Sequence, residues 1–361
     1  MTSIPETHEA VGQLAPNSEL TSFRLPTPAP GPDQVLVRVQ WSAGSPVTVW
    51  IVDFKVTNPQ YPLVVGENIV GEVVAIGQGV TDFKVGDVVL SFSFTDEAHG
   101  RASQEYALLS KWNVGKLPDN IVPQEAATVP DNLVTAYFTL FDQLGLPTPA
   151  DFPTTTPSKD TFTPILVWGG GGSVGQYAIQ LLRLAGYQNI FAVASPRHHE
   201  HLRELGANKT FDYNSPEVFK KILTATGGDR LELVFDTIGD EENSLKPISQ
   251  LVGPGSKVAY LLPVRIGGHG AVRGVKQTTD VLGDGIESIA VGTKYYQKNE
   301  RMKRDLQLKI IPSLLGRGLI KPNRYREVKG ESLLEKVTEA VDLLRRGAVS
   351  GERLVFRVAK T

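Results

Sequence analysis

Gly170, Gly172 and Gly175 stand at the spacing G-x-G-x-x-G within Ile165-Leu-Val-Trp-Gly-Gly-Gly-Gly-Ser-Val-Gly175. An apolar run precedes them and an amphipathic run, 176–187, follows, so the segment reads as a buried strand, a glycine turn and a helix. In such a turn the first glycine, Gly170, makes the tight bend. The second, Gly172, lets a pyrophosphate approach the backbone, and the third, Gly175, lets the helix pack closely on the strand. Ser173 and Val174 open that helix, whose free N–H groups and positive dipole end face the phosphates. The spacing predicts a dinucleotide site built on Gly170, Gly172, Ser173, Val174 and Gly175.

The second strand, 189–194, ends in Ser195-Pro196-Arg197 with no carboxylate at its tip. A site for NADH places Asp or Glu there to hold the ribose 2′-hydroxyl. A hydroxyl and a planar guanidinium suit a 2′-phosphate instead, so Ser195 and Arg197 point to NADPH. Arg197 also reads as a solvated residue at a helix start. Tyr213, after the third strand, is a candidate cover for the adenine and equally an ordinary strand-end aromatic. Ligands of open α/β sheets bind beyond the carboxyl ends of the strands. Thr237 and Ile238, Leu262 and Pro263, and Gly292 and Thr293 therefore join the cofactor candidates. His198 and His201 share a helix face near His199, but no cysteine or clearly placed carboxylate completes a metal set. A solvated helix beside the cofactor is the expectation, and no metal site is assigned.

These residues need a scaffold. The chain of 361 residues is 41% hydrophobic, enough for one large or two ordinary domains. A net charge of −2 argues against nucleic-acid or anionic-membrane partners, and no apolar run reaches the roughly 18 residues of a membrane span. Residues 1–10 are polar, unlike a secretory leader. There is no cysteine, which removes disulfides, thiolate ligands and thiol nucleophiles and fits a cytoplasmic enzyme.

Up to about Asp131 the chain has short β-like runs broken by Pro and Gly, among them 34–41, 68–76 and 87–92. From about Asn132, apolar runs at 165–168, 190–194, 209–211, 233–236, 257–261 and 286–293 alternate with helical patterns at 176–184, 198–205 and 217–226. That alternation predicts a doubly wound parallel sheet of the Rossmann type. Residues 148–164 read as a surface loop. The tail carries helical patterns at 301–315 and 333–346, and ends on an alternating run, 353–357, that predicts a return to the first domain.

The landmarks Pro62-Leu-Val-Val-Gly66, Gly71-Glu-Val-Val-Ala-Ile-Gly77, Phe83-Lys-Val-Gly-Asp-Val88, Gln104-Glu-Tyr106, Glu125-Ala-Ala-Thr-Val-Pro130 and Ser350-Gly-Glu-Arg-Leu-Val355 resemble the medium-chain dehydrogenase/reductase superfamily over nearly the whole chain. The resemblance implies an α/β protein with a mainly β GroES-like domain, 1–131 and 297–361, and a Rossmann NADPH-binding domain, 132–296. Where zinc alcohol dehydrogenases carry a ligand His and its neighbouring Glu, this chain has Glu67 and Asn68; the first Cys ligand gives way to the Ala43-Gly-Ser-Pro46 region. Without zinc no Lewis acid polarises a simple carbonyl.

Leu166-Val-Trp-Gly-Gly170, Ala194-Ser-Pro-Arg197, Phe211-Asp-Tyr-Asn214 and Leu140-Phe-Asp-Gln-Leu-Gly-Leu146 are similar to the zinc-free enoyl and quinone reductases, and within them to fungal stand-alone, trans-acting enoyl reductases. That likeness implies hydride delivery from NADPH to the β-carbon of an activated double bond and protonation at the α-carbon. It places Thr135 and Ser45 near the nicotinamide, although Thr135 also fits an apolar helix. Ser45-Pro-Val-Thr48 stands where relatives often have Asn-Pro-x-Asp. No proton donor stands out: Tyr61 is a candidate whose other reading is a packed Tyr-Pro pair, and related folds can use bulk water. The implied substrate is a small or carrier-bound enoyl compound, with a polyketide synthase as an implied partner. No basic cluster marks a carrier site. A quinone or enone reductase, or a non-catalytic NADPH-binding accessory protein, is the alternative, and monomer and homodimer both stay open.

Overall fold

The computed structural model describes residues 4–156, 159–267 and 272–359. Two compact units divide the chain: Met1–Val134 with Lys294–Thr361, and Thr135–Thr293.

In the first unit, the β-branched, alternating strand Gln34–Ala43 forms the spine of a seven-stranded sheet. Neighbouring strands run in the order Arg324–Glu327, Glu352–Arg357, Gln34–Ala43, Asn68–Ile76, Val88–Phe92 and Val114–Lys116, and Tyr106–Ser110 also pairs with the spine. Two register shifts, between Leu36/Val37 and Val39/Trp41, bend the spine so that its two halves take different partners. The returning strand pairs Val355 with Ala43 and Arg357 with Trp41. Thr7–Gln13 and Thr21–Pro26 form a smaller antiparallel sheet with Leu63–Val64 that the sequence pattern did not reveal. The tail helix Leu333–Arg345 starts at Ser332, whose side chain accepts the Glu335 N–H, and it buries Leu333, Val337, Ala340 and Val341. The other tail pattern is helical from end to end, as Glu300–Asp305, a π-turn at Leu306–Ile310 and Ile311–Gly316; the π-turn lies just before Pro312, which supplies no N–H to a regular α-ladder.

The second unit is a six-stranded parallel sheet in the order Lys209–Phe211, Ile190–Val193, Ile165–Trp168, Leu233–Asp236, Lys257–Leu261, Glu287–Val291. All residues of Ile165–Trp168 and Ile190–Val193 are buried, as expected for strands covered on both faces. Ile165–Trp168, first in the chain, lies between the second and fourth strands. The winding therefore reverses beside its C-terminal end, where open α/β sheets form their ligand crevice. Pro196 confines the start of the second helical pattern to a 3₁₀ turn, Pro196–His198, before the helix His199–Leu205. The 148–164 segment is less of a surface loop than its composition suggests. Phe152 is buried against Tyr137 and Phe141, with ring centroids 6.3 and 5.9 Å away, and a 3₁₀ turn forms at Lys159–Phe162.

Candidate dinucleotide-binding site

The bend at the end of Ile165–Trp168 depends on Gly169, whose φ of +83° lies in the left-handed region that favours glycine. The tight-bend role expected of Gly170 falls one residue earlier. The N–H groups of Gly169 and Gly170 both reach the Val193 carbonyl at 3.0 Å. Gly175 meets its expected constraint, since a Cβ there would lie 2.5 Å from the Gly169 oxygen and 2.7 Å from the Gly170 Cα. Gly172 differs. A Cβ on it would meet only the Gly169 oxygen, at 3.3 Å, so its outer face is open.

Gly172 is also the N-cap of the helix Ser173–Leu184, with no side chain capping it. The first N–H groups of such a helix, from Ser173, Val174 and Gly175, lack intrahelical acceptors and carry the positive dipole end. Tyr177, Ala178, Leu181 and Leu182 are buried and hold this helix against the sheet.

Thr237 and Ile238 press on the turn from the neighbouring strand. The Thr237 hydroxyl lies 3.0 Å from the carbonyl oxygens of both Trp168 and Gly169, and its N–H donates to Trp168 at 2.9 Å. Beneath them Asp236 is fully buried. Its carboxylate accepts from Ile238 N–H at 2.9 Å, Gly239 N–H at 3.2 Å and the Ser244 hydroxyl at 2.6 Å. Burial pushes the Asp236 carboxyl up to about 6, against the pull of these donors. Leu262 and Pro263 follow the fifth strand, with Leu262 N–H on the Val291 carbonyl at 3.0 Å. Beyond Glu287–Val291 come Gly292 and Thr293, and the Thr293 hydroxyl lies 2.8 Å from that of Thr135.

Ser195 precedes the 3₁₀ turn Pro196–His198. Arg197 is exposed and its Nε donates to His198 Nε2 at 3.3 Å. Tyr213 is 43% exposed. The histidines engage separate partners: a ring nitrogen of His199 meets the Ala194 carbonyl at 3.0 Å, and His201 lies 3.4 Å from Glu204. Among the described residues, no group of three or more His, Asp or Glu side chains is arranged to hold a metal ion.

The remaining candidates lie in the first unit. Ser45 is buried, its hydroxyl donating to Asp131 Oδ2 at 3.2 Å; Arg353 reaches the same oxygen at 2.9 Å. Asn68 accepts the Asp131 N–H at 3.0 Å. Next to Asn68, Glu67 pairs with Arg101 at 3.1 Å, both at most 2% exposed, and the Thr48 hydroxyl donates to its other oxygen at 3.1 Å. Burial outweighs Arg101 and pushes the Glu67 carboxyl up to about 7. The Tyr61 hydroxyl is buried and finds no hydrogen-bond partner among the described residues. Sequence spacing placed Asp236 in a cofactor-lining loop but did not reveal its bond to Ser244, nor the pairing of Arg101 with Glu67 and of Arg353 with Asp131. Arg101 is 34 residues from Glu67 and Arg353 is 222 from Asp131, so no local pattern links them.

Residues 31–134 match the alcohol dehydrogenase GroES-like domain and residues 173–261 the zinc-binding dehydrogenase domain. The chain is 31% identical to trans-enoyl reductase himH of Aspergillus japonicus, over 91% of this chain and 90% of that one. It is 34% identical to trans-enoyl reductase tazE of Aspergillus terreus, over 63% and 75%. An alcohol dehydrogenase superfamily protein from Novosphingobium aromaticivorans shares its fold, with a TM-score of 0.76 at 22% identity, covering 98% of this chain and 100% of that one. An unbroken likeness across both units, with Glu67 and Asn68 at the altered metal positions, makes this chain a member of the zinc-free branch of the medium-chain dehydrogenase/reductase superfamily, alongside the fungal trans-enoyl reductases.

Proposed function

We propose that this oxidoreductase reduces the activated C=C bond of an enoyl substrate with NADPH. The observation that carries the reading is the open face of Gly172 at the head of the helix Ser173–Leu184. It is the feature of the turn that a pyrophosphate needs and that the packing of the protein itself does not. The names of the relatives himH and tazE support the enoyl substrate. Ser195 and exposed Arg197 support NADPH over NADH, through charge-assisted bonds to a 2′-phosphate.

The residues fit such a cofactor: Gly172, Ser173, Val174 and Gly175 would hold its pyrophosphate, and Tyr213 would flank the adenine. Thr237, Ile238, Leu262 and Pro263 would line its middle, and Thr135, Thr293 and Gly292 would meet the nicotinamide end. When bound, the nicotinamide supplies a hydride to the β-carbon. The chain then has to orient the two reactants, stabilise the developing enolate and deliver a proton to the α-carbon. Tyr61, whose buried hydroxyl has no hydrogen-bond partner among the described residues, is the proposed donor. A carrier-bound polyketide intermediate, a synthase partner and a cytoplasmic setting complete the proposal.

The test is a panel of enoyl thioesters, enones and quinones assayed with NADPH and with NADH. Oxidation of NADPH coupled to enoyl thioester reduction is expected. Turnover of quinones alone would reassign the enzyme as a quinone reductase, and tight NADPH binding without turnover on any of them would make it an accessory protein.

A further inference from the structure

We infer that Asp236, with Ser244 behind it, is a positioning residue that holds the glycine turn in its dinucleotide-binding shape and makes cofactor affinity depend on pH. The inference rests on the proposed dinucleotide site and adds a control element to it.

The strand Leu233–Asp236 ends one residue before the loop that touches the turn. Through its two oxygens the Asp236 carboxylate takes the N–H groups of Ile238 and Gly239 at 2.9 and 3.2 Å, which winds the loop back on itself. That winding presents the Thr237 hydroxyl to the Trp168 and Gly169 carbonyls. It also sets Ile238 so close that a Cβ on Gly169 would lie 2.5 Å from it. Gly169 carries the bend from which Gly172 and the helix follow. A displacement of the Thr237–Ile238 pair therefore reaches the phosphate end of the site directly.

The far side of the loop is also tied down. Arg265 N–H donates to the Gly239 carbonyl at 2.7 Å, and its guanidinium faces Asp240 at 3.8 Å. Ser244 N–H donates to the Asp240 carbonyl at 3.0 Å, which sets the Ser244 hydroxyl 2.6 Å from Asp236. Arg265 is the cation that acts on Asp236, Asp240 is the neighbouring acid, and Trp168 and Tyr260 flank it across the sheet.

An ionised carboxylate can accept all three bonds, whereas a protonated one loses an acceptor and turns a hydroxyl toward a donor. With the Asp236 carboxyl pushed up to about 6 by burial, the loop is held above that pH and released below it. Ser244 pulls the carboxyl down, so its removal moves the switch upward in pH.

The experiment titrates the full chain with NADH and NADPH between pH 5 and 8, following the fluorescence of the reduced cofactor, for wild type, Asp236→Asn, Ser244→Ala and Thr237→Val. NADH is essential because it lacks the 2′-phosphate, which itself titrates in this range. In wild type, NADH affinity should weaken about tenfold as pH falls through about 6, the loss of one charge-assisted bond's worth of alignment. Asp236→Asn should bind weakly at every pH, with no step. Ser244→Ala should keep the step but at higher pH, a shift that a purely structural role would not produce. Thr237→Val should weaken binding at every pH and leave the step in place.

A wild-type step that survives unchanged in both Asp236→Asn and Ser244→Ala would belong to another group and overturn the inference. So would pH-independent affinity in wild type. Absence of any binding of either dinucleotide would instead overturn the proposed function. If Asp236→Asn does not fold, Ser244→Ala alone decides.

Discussion

The hydroxyls of Thr135 and Thr293 lie 2.8 Å apart, although 158 residues separate them in the chain. They join the first and last residues of the second compact unit. Either hydroxyl can be the donor of this bond. Thr135→Val should weaken NADPH about tenfold in KM while costing about 1 kcal/mol of stability. Steady-state kinetics beside a thermal melt will check it; a stability loss with an unchanged KM would confine the pair to a structural role.

The glycines of the turn should separate by what surrounds them. Gly175→Ala forces a Cβ to within 2.5 Å of the Gly169 oxygen and should cost about 1–3 kcal/mol. Gly172→Ala meets only one atom, at 3.3 Å, and should fold nearly as well as wild type yet bind dinucleotide poorly. Unfolding curves and cofactor titrations on the two variants would expose the opposite ranking.

Exposed Arg197 should discriminate between cofactors. Arg197→Ala is expected to weaken NADPH by about tenfold or more, one charge-assisted bond, with little change for NADH. Equal losses for the two in parallel binding titrations would remove Arg197 from 2′-phosphate recognition.

Glu67 should make folding stability fall as the medium becomes more alkaline. Burial raises its carboxyl from 4.5 to about 7, so between those values the folded chain binds more protons than the unfolded one. Its stabilising contribution is therefore full below about 4.5 and lost as pH rises through about 7. The difference is at most about 3 kcal/mol. Denaturant unfolding followed by tryptophan fluorescence at pH 5 and 8 should show this slope in wild type and a flatter one in Glu67→Gln. Arg101→Gln leaves the buried carboxylate uncompensated and should cost about 3 kcal/mol at pH 8, but less at pH 5. An equal cost at both pH values would contradict the pairing.

Tyr61→Phe removes a buried hydroxyl that has no hydrogen-bond partner among the described residues. The variant should be as stable as wild type or more stable by about 1 kcal/mol, and slower on an enoyl thioester. Unchanged turnover would take Tyr61 out of the mechanism.

The sequence by itself determined the two building plans and the position of the dinucleotide turn. Periodicity, glycine spacing and the run of family landmarks are local quantities: Ile165–Trp168, Gly172, Gly175 and the helix after them follow from neighbours within a few residues. The absence of cysteine and the presence of Glu67 and Asn68 at the altered metal positions were equally legible.

Only the tertiary structure decided which glycine carries the bend. Gly169 has the left-handed φ, and Thr237 and Ile238, brought alongside by the neighbouring strand, leave no room for a side chain there. It likewise decided that Glu67 has Arg101 as its partner, and that Asp236 winds the loop bracing the turn. Burial and long-range pairing set the charge state of such groups, and both depend on residues that chain order keeps far apart.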